Sequence, residues 1–416
     1  ERLGKDEEAP VKGNEANRDG DADVRLAPVH ADGKRDADER EAKAGKGEGQ
    51  LPVELQAERR SEQGALVAAV GRRGGGVPAG IGQLPLQAGE FAPAGQHRRG
   101  GPEQPQTGQG DDGAVLPLPG EGKLVMATDS HVVSPLFFPG GDIGHLAVCG
   151  SVNDLAMAGA TPLALSLALI LEEGLPVATL RQVIHSIRSC AAACGVAVVT
   201  GDTKVVERGK GDGIFINTSA VGRLEHDLLI HPRAVRPGDA VLVSGDLGRH
   251  GLAILAARNE LGLHSPLESD VAPLLEPVQA LLAAGLELHV LRDLTRGGLA
   301  SAIDELARGA GCRITLEEGA IPLHPAVDGA CQLLGLDPLA LANEGRMVVL
   351  LPDAQAEDAL AVLRQFQSEA CRIGTVGEPL DQASGLERRH PVSLRGSLGV
   401  LRPLELGRGE QLPRIC

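Results

Sequence analysis

Residues 143–159 read IGHLAVCGSVNDLAMAG, with small and apolar residues recurring along one side of a helical period. Ahead of this predicted helix, KLVMAT (123–128) reads as a strand; behind it, PLALSLALIL (162–171) reads as a buried one. A second helix, VATLRQVIHSIRSCAAAC (177–194), and two more strands, VAVVTGD (196–202) and GIFINTSAVG (213–222), complete a first unit. RPGDAVLVSGDLGRHG (236–251) opens a second unit with a Pro-Gly turn, a strand and a glycine-rich loop leading into the helical LAILAARNE (252–260). A helix near 273–284, a turn at RDLTRGG (292–298), a helix through Ala307, and strands at CRITLEE (312–318) and RMVVLLP (346–352) follow. The alternation predicts an α+β or α/β pair of domains joined near residues 225–238.

Composition narrows what such a pair of domains does. The chain has 416 residues, with 40 Lys plus Arg against 56 Asp plus Glu and a net charge of −16. An acidic surface argues against nucleic acid and against an anionic membrane as partners, because phosphates need a neutralising basic patch. Seven cysteines without regular close spacing suit reduced thiols in a cytoplasmic protein. No apolar run approaches the ~20 residues a spanning helix needs, and the opening ERLGKDEEAP lacks a secretory apolar core. Trp and Tyr are absent, so a bound nucleotide is not expected to stack between aromatic rings. Residues 1–106 are charged, rich in Gly and Ala and without apolar periodicity; they are expected to be disordered, or to be a misread start.

Acidic residues fall at predicted strand ends and helix contacts, each beside small residues. They are Asp111 and Asp112 in GDDGAV, Asp129 in MATDS, Asp154 in SVNDLA and Asp202 in VTGDTK. As a set they suit Mg²⁺, which takes one or two carboxylates plus substrate phosphates; singly, each could cap a helix or turn. Lys204 beside Asp202 could hold phosphate or act as a base, or be a solvated surface charge. Asp293 and Thr295 precede a helix whose first turn carries glycines, leaving backbone N–H groups open to an anion or simply capped. SGDLGRHG is a weak glycine-loop signal. Cys190 and Cys194 lie four apart on one helix, but no second Cys/His pair stands near them in sequence, so helix packing is the expectation. Cys149, Cys312, Cys331 and Cys371 read as core, and His131, His145 and His250 share no ligand spacing. Last stands Cys416, a mobile and unprotected nucleophile at the end of GRGEQLPRIC.

The segments MATDSHVVSPLFFPGGDIGHLAVCGSVNDLAMAGATPL, VTGDTKVVERGKGDGIFINTSAVG, RDLTRGGLASAIDELA, ANEGRMV and GEQLPRIC together resemble the HypE family of hydrogenase-maturation carbamoyl dehydratases, within the PurM-like ATP-binding superfamily. The resemblance covers about residues 108–416 and implies an α+β, PurM-like two-domain fold. Its expected layout is residues 1–106 unmatched, 107–228 an N-terminal ATP-binding domain, 229–404 a C-terminal domain and 405–416 a mobile tail. It implies ATP-dependent dehydration of a carbamoyl group on Cys416 to a thiocyanate, which supplies the cyanide ligands of a nickel–iron hydrogenase. Other PurM-like synthetases or kinases, and a non-catalytic carbamoyl carrier, are the alternatives. ATP and Mg²⁺ are the implied cofactors. A HypF-type carbamoyltransferase, a HypC–HypD scaffold and a second copy of the chain, joined through first-domain strands, are the implied partners. By position, Asp112, Asp129, Asp154 and Asp202 match metal and nucleotide sites, with Asp111 a neighbour and Thr203 beside them. Lys204 and Glu344 match a proton-handling pair, Thr295 and Arg296 lie near the nucleotide, and Arg414 steadies carbamoyl or phosphate charge. A nine-residue tail from Arg408 would reach ~30 Å when extended. Residues 1–106 do not show the family's glycine-rich opening segment.

Overall fold

The computed structural model describes residues 122–258, 267–406, 412 and 414–416, all within one compact unit, Glu54–Cys416. The expectations for residues 1–106, Asp111 and Asp112 lie outside the described residues. Strand β1 (Lys123–His131) leads through a short ribbon, β2 (Phe137–Phe138) and β3 (Gly141–Asp142), into helix α1 (Ile143–Met157). Then come β4 (Ala160–Glu172), α2 (Val177–Ala193), β5 (Ala197–Val206) and β6 (Ile214–Leu224). The four long strands form one sheet in the order β1-β6-β4-β5, with β4 and β5 parallel and the other pairs antiparallel.

Helix α1 starts where its sequence provides a cap: Asp142 Oδ1 accepts the N–H groups of Gly144 at 2.7 Å and His145 at 3.0 Å. The helix is buried on nearly every side, because the first sheet packs on one flank and the second domain on the other. Its small residues make that possible. A Cβ on Gly150 would stand 2.8 Å from His131 Cε1 and 3.4 Å from Asp129 Oδ2, so glycine sets how closely α1 approaches β1.

The second domain is built on a seven-stranded sheet. Its elements in chain order are β7 (Ala240–Val243), α3 (Arg249–Ala257), α4 (Leu275–Ala283), β8 (Val290–Asp293), α5 (Gly298–Ala310), β9 (Cys312–Glu317), α6 (Pro325–Leu334) and β10 (Met347–Leu351). Helix α7 (Ala356–Leu363), β11 (Cys371–Pro379), α8 (Gly385–Arg389), β12 (Val392–Arg395) and β13 (Leu401–Pro403) complete it. The spatial order is β13-β12-β9-β11-β7-β10-β8, antiparallel except for the parallel pair β9–β12. AVLV and MVVLL are buried at every position, as strands covered on both faces require. Leu242, Met347, Val349 and Leu351 join the core that holds α1, α4 and α7, whereas Val241, Val243, Val348 and Leu350 join the core under α5.

Two expected boundaries move. RDLTRGG does not begin as a turn: Val290–Asp293 pairs with β10, placing Asp293 opposite Met347. Four residues with one apolar pair are too short to show a period. The helix read at 252–260 starts at Arg249, because Gly248, at φ 85°, takes the left-handed turn that aims the chain into it. Among the described residues no helix is long and apolar enough to cross a membrane.

Candidate active site

Acidic side chains from both domains meet where α1 faces the second sheet. Asp129 comes from the inner face of β1, Asp154 from the last turns of α1, Asp293 from the end of β8, and Glu344 from the ANEG loop ahead of β10. Asn153 locks the junction: its Nδ2 donates to Ala272 O at 3.1 Å and Glu344 O at 3.4 Å, and its Oδ1 accepts from Leu274 N at 2.7 Å. Asp270 fixes the same loop by accepting the N–H groups of His250 (3.1 Å) and Gly345 (3.3 Å). Gly345 admits that approach, since a Cβ there would lie 2.0 Å from Asp270 O.

Crowded carboxylates repel, and the titration directions record it. Burial, then the charges of Asp129 and Asp293, push Asp154 up to about 7, and Asp154 also shares a hydrogen bond with Asp129. Asp293 is raised chiefly by burial, with Asp129 adding to it and Arg292 opposing. Glu344, 4% exposed, is raised well above the ordinary carboxylate range by burial and then by Asp270, Asp293 and Asp129. His131 is lowered to about 4, mainly by burial, which outweighs the pull of Asp129. Glu344 Oε1 is buried without a hydrogen-bond partner. An oxygen-rich cleft with an orphaned carboxyl oxygen and carboxyls held above their usual range fits a hard divalent cation.

The C-terminal residues dock beside this cleft. Val132 N donates to Cys416 O at 3.1 Å and Ser134 N to Arg414 O at 3.2 Å, an antiparallel pairing with the segment that follows β1. His250 Nε2 donates to Ile415 O at 2.7 Å. The carbonyl can only accept, so Nε2 carries the proton; Nδ1 then accepts from the Ser269 hydroxyl at 2.8 Å, and Ser269 Oγ accepts Val271 N–H. Ile415 is 3% exposed and belongs to the main core. The thiol of Cys416 thereby reaches the carboxyl of Glu344 and hydrogen-bonds to it.

The structure sorts the residues singled out from sequence. Asp129, Asp154, Glu344 and Cys416 come together. Thr295 and Arg296 lie between β8 and the start of α5, with Arg296 close enough to bear on His131. Gly297 and Gly298, at φ 76° and 56°, open that helix without a side-chain cap. Asp202, Thr203 and Lys204 stand elsewhere within the chain. Asp129 aligns with Thr218, Leu167 and Gly201 across the sheet, so β5 lies three strands away, roughly 14 Å at ~4.8 Å per strand. Asp202 and Lys204 form an exposed ion pair on the opposite face, and Thr203 Oγ1 is buried without a partner. Arg414 turns its guanidinium to Asp212, Nη1–Oδ2 3.0 Å, away from the acidic cleft. Asp270, His131 and His250 were not among the expected site residues; each reaches the cleft through tertiary packing that no local spacing encodes.

Among the cysteines, Cys149, Cys312 and Cys331 are buried, whereas Cys371 is only half-buried and not the core residue its apolar context suggests. The missing second pair for Cys190 and Cys194 exists in space: Cys149 Sγ stands 3.5 Å from Cys190 Sγ, with His145 alongside.

Residues 110–224 match the N-terminal domain, and residues 236–383 the C-terminal domain, of AIR synthase related proteins. Fold and site thus define a two-domain protein of the AIR synthase related class. Within it, the chain is 49% identical over 310 residues to the carbamoyl dehydratase HypE of Cupriavidus necator, covering 74% of this chain and 86% of that one. A crystal structure of the hydrogenase maturation protein HypE in complex with ATP shares 45% identity at a TM-score of 0.69, covering 76% of this chain and 92% of its own. A HypE–HypF complex shares 42% identity at a TM-score of 0.64, covering 68% and 90%. The chain belongs to the HypE family of carbamoyl dehydratases, a family of enzymes.

Proposed function

We propose that this chain uses ATP to dehydrate a carbamoyl group carried on its own Cys416 sulfur, giving a thiocyanate that supplies cyanide to the iron of a nickel–iron hydrogenase. The observation that carries the reading is the Cys416 thiol held against the buried Glu344 carboxyl at the edge of a cation-fitting acidic cleft. That a related HypE binds ATP supports ATP as co-substrate, and a HypE–HypF complex supports a HypF-type carbamoyltransferase as the loading partner. A HypC–HypD scaffold as acceptor of the cyano group, and a cytoplasmic location, complete the proposal.

The chemistry assigns each group a task. An amide oxygen leaves poorly; once it attacks the γ-phosphorus and carries the phosphoryl group, it departs as phosphate. Two N–H protons must also go before carbon and nitrogen are triply bonded. Glu344 lies next to the sulfur with its affinity for protons raised chiefly by burial, which suits a group that accepts a proton and passes it on. Asp129, Asp154 and Asp293 would hold Mg²⁺, which neutralises phosphoryl charge when bound. The uncapped start of α5, with Thr295 and Arg296, offers N–H groups and a cation to an anion. The docked tail fixes the reacting group against these residues, replacing a bimolecular encounter with an oriented one. Net, thiocarbamate plus ATP gives thiocyanate, ADP and phosphate.

Asp202, Thr203 and Lys204 would enter through a second copy of the chain. The face of the first sheet opposite α1 exposes Met126 (71%), Leu124 (54%) and Ile170 (37%), an apolar patch of the kind that marks an interface. Pairing that face in a homodimer would cover Asp202 and Lys204 as well, where Lys204 would serve phosphate or proton transfer. Arg414 steadies the carbamoyl group once the tail is loaded.

Intact-mass measurement tests the reaction. With carbamoyl phosphate, a HypF-type transferase, ATP and Mg²⁺, the chain should gain one carbamoyl group and then lose one water. Cys416→Ser should do neither while still binding ATP. A gain without the loss would make the chain a carrier; loading of the serine variant at another residue would sink the assignment of Cys416.

A further inference from the structure

Away from the cleft, α1 and α2 cross very closely. A Cβ on Gly144 would lie 2.6 Å from Val183 O and 3.0 Å from Ile187 Cγ1, so the glycine is what lets the helices touch. Beside this crossing each helix presents a pair four residues apart, His145 and Cys149 from α1 and Cys190 and Cys194 from α2. That spacing puts both members of a pair on one helix face. Cys149 Sγ and Cys190 Sγ are 3.5 Å apart, and ligand atoms of His145, Cys149 and Cys190 all lie within 4.8 Å of one another. Cys190 also hydrogen-bonds to His145 and to Cys194.

We propose that His145, Cys149, Cys190 and Cys194 form a binding site for a soft divalent cation of the Zn²⁺ class, pinning α2 to α1. With Zn–S bonds of about 2.3 Å, two sulfurs of a tetrahedral site stand about 3.8 Å apart, close to the separation already present. Three thiols and an imidazole are soft donors that select such an ion over the hard cation suited to the carboxylate cleft. Binding ionises the thiols and releases their protons to solvent, while His145 binds as neutral imidazole. Cys194 closes the coordination shell by turning about its side-chain bond toward Cys190. Half-exposed His145 provides the way in from solvent, the three cysteines being buried. The site would steady α1, which two turns further on carries Asn153 and Asp154.

Co²⁺ serves as the optical probe for the full chain, kept reduced and chelator-treated under argon. One equivalent should produce an intense thiolate charge-transfer band with tetrahedral d–d absorption, Zn²⁺ should bleach it, and protons should be released on binding. Cys190→Ser should weaken Co²⁺ binding by tenfold or more, and so should His145→Ala, whose half-exposed position spares the fold. Cys416→Ser should leave the band intact, separating this site from the terminal thiol. Weak octahedral absorption alone, a band that survives Cys190→Ser, or one that vanishes with Cys416→Ser would each overturn the assignment. So would full retention of binding in His145→Ala.

Discussion

A carboxyl that titrates at about 7 among other carboxyls behaves as a cation-seeking group, and Asp154 is that residue. Its folded value lies above its unfolded one, so between pH 4 and pH 7 the folded state holds the extra proton. Stability of the metal-free protein is therefore fully expressed at acid pH and falls as pH rises through that window. Asp154→Asn should remove the dependence. In EDTA the variant's stability relative to the parent should rise by roughly 2 kcal/mol between pH 5 and pH 8 after screening is allowed for, as thermal denaturation would show. Added Mg²⁺ should favour the parent alone at pH 8. A parent whose stability rises steadily across the window would contradict the crowded-carboxylate account. Glu344 follows the same logic more strongly, being buried. Its carboxyl, raised first by burial and then by Asp270, Asp293 and Asp129, should favour its neutral form until a cation or the reacting group displaces the proton.

Among the elements, an interior imidazole is one of the groups that hold the docked tail, beside the pairing with Val132 and Ser134. His250 is fully buried, and its proton position is dictated by the carbonyl of Ile415. Losing a buried hydrogen bond of about 1 kcal/mol should raise the undocked fraction several-fold. Alkylation of Cys416, followed by peptide mass, should therefore quicken about fivefold to tenfold in His250→Ala. His250→Gln, which keeps an N–H donor, should fall between that and the parent. An unchanged rate in both would show that the latch lies elsewhere. These elements also show what the sequence disclosed. α2 and β6 were legible because each carries its own period, and α1 and β4 because each is a long run of apolar and small residues. The ANEG, RDLTRGG and PRIC stretches were legible by resemblance. Asp270 and His250 were not, because their significance arises only when α3 and the 267–274 segment fold onto the loop before β10. His145 and Cys149 hid for the same reason: a ligand set split between two helices has no spacing to read.

Across the whole molecule, the four-stranded sheet buries one face and leaves the other lined by Met126, Leu124 and Ile170. If this face joins two copies, Met126→Asp should shift the protein from dimer to monomer in sedimentation, with tail docking unaffected. It should also lower ATP-dependent dehydration if Lys204 and Asp202 act through that contact. A monomeric parent would remove this part of the proposal. Asn153 plays the complementary part within one chain, because it bonds α1 to two segments of the second domain at once. The cleft is thus framed by both domains.

The sulfur that sits against Glu344 is covalently part of the protein it serves, so its local abundance is set by tether length. For a short tether that abundance is of millimolar order, and dilution cannot lower it. The chemical step in single-turnover experiments should accordingly keep one rate across a hundredfold range of protein concentration. A carbamoylated peptide ending in the same four residues should compete only at about millimolar levels. A partner that unloads the group must first pull Ile415 from its pocket, so handover and undocking are one event.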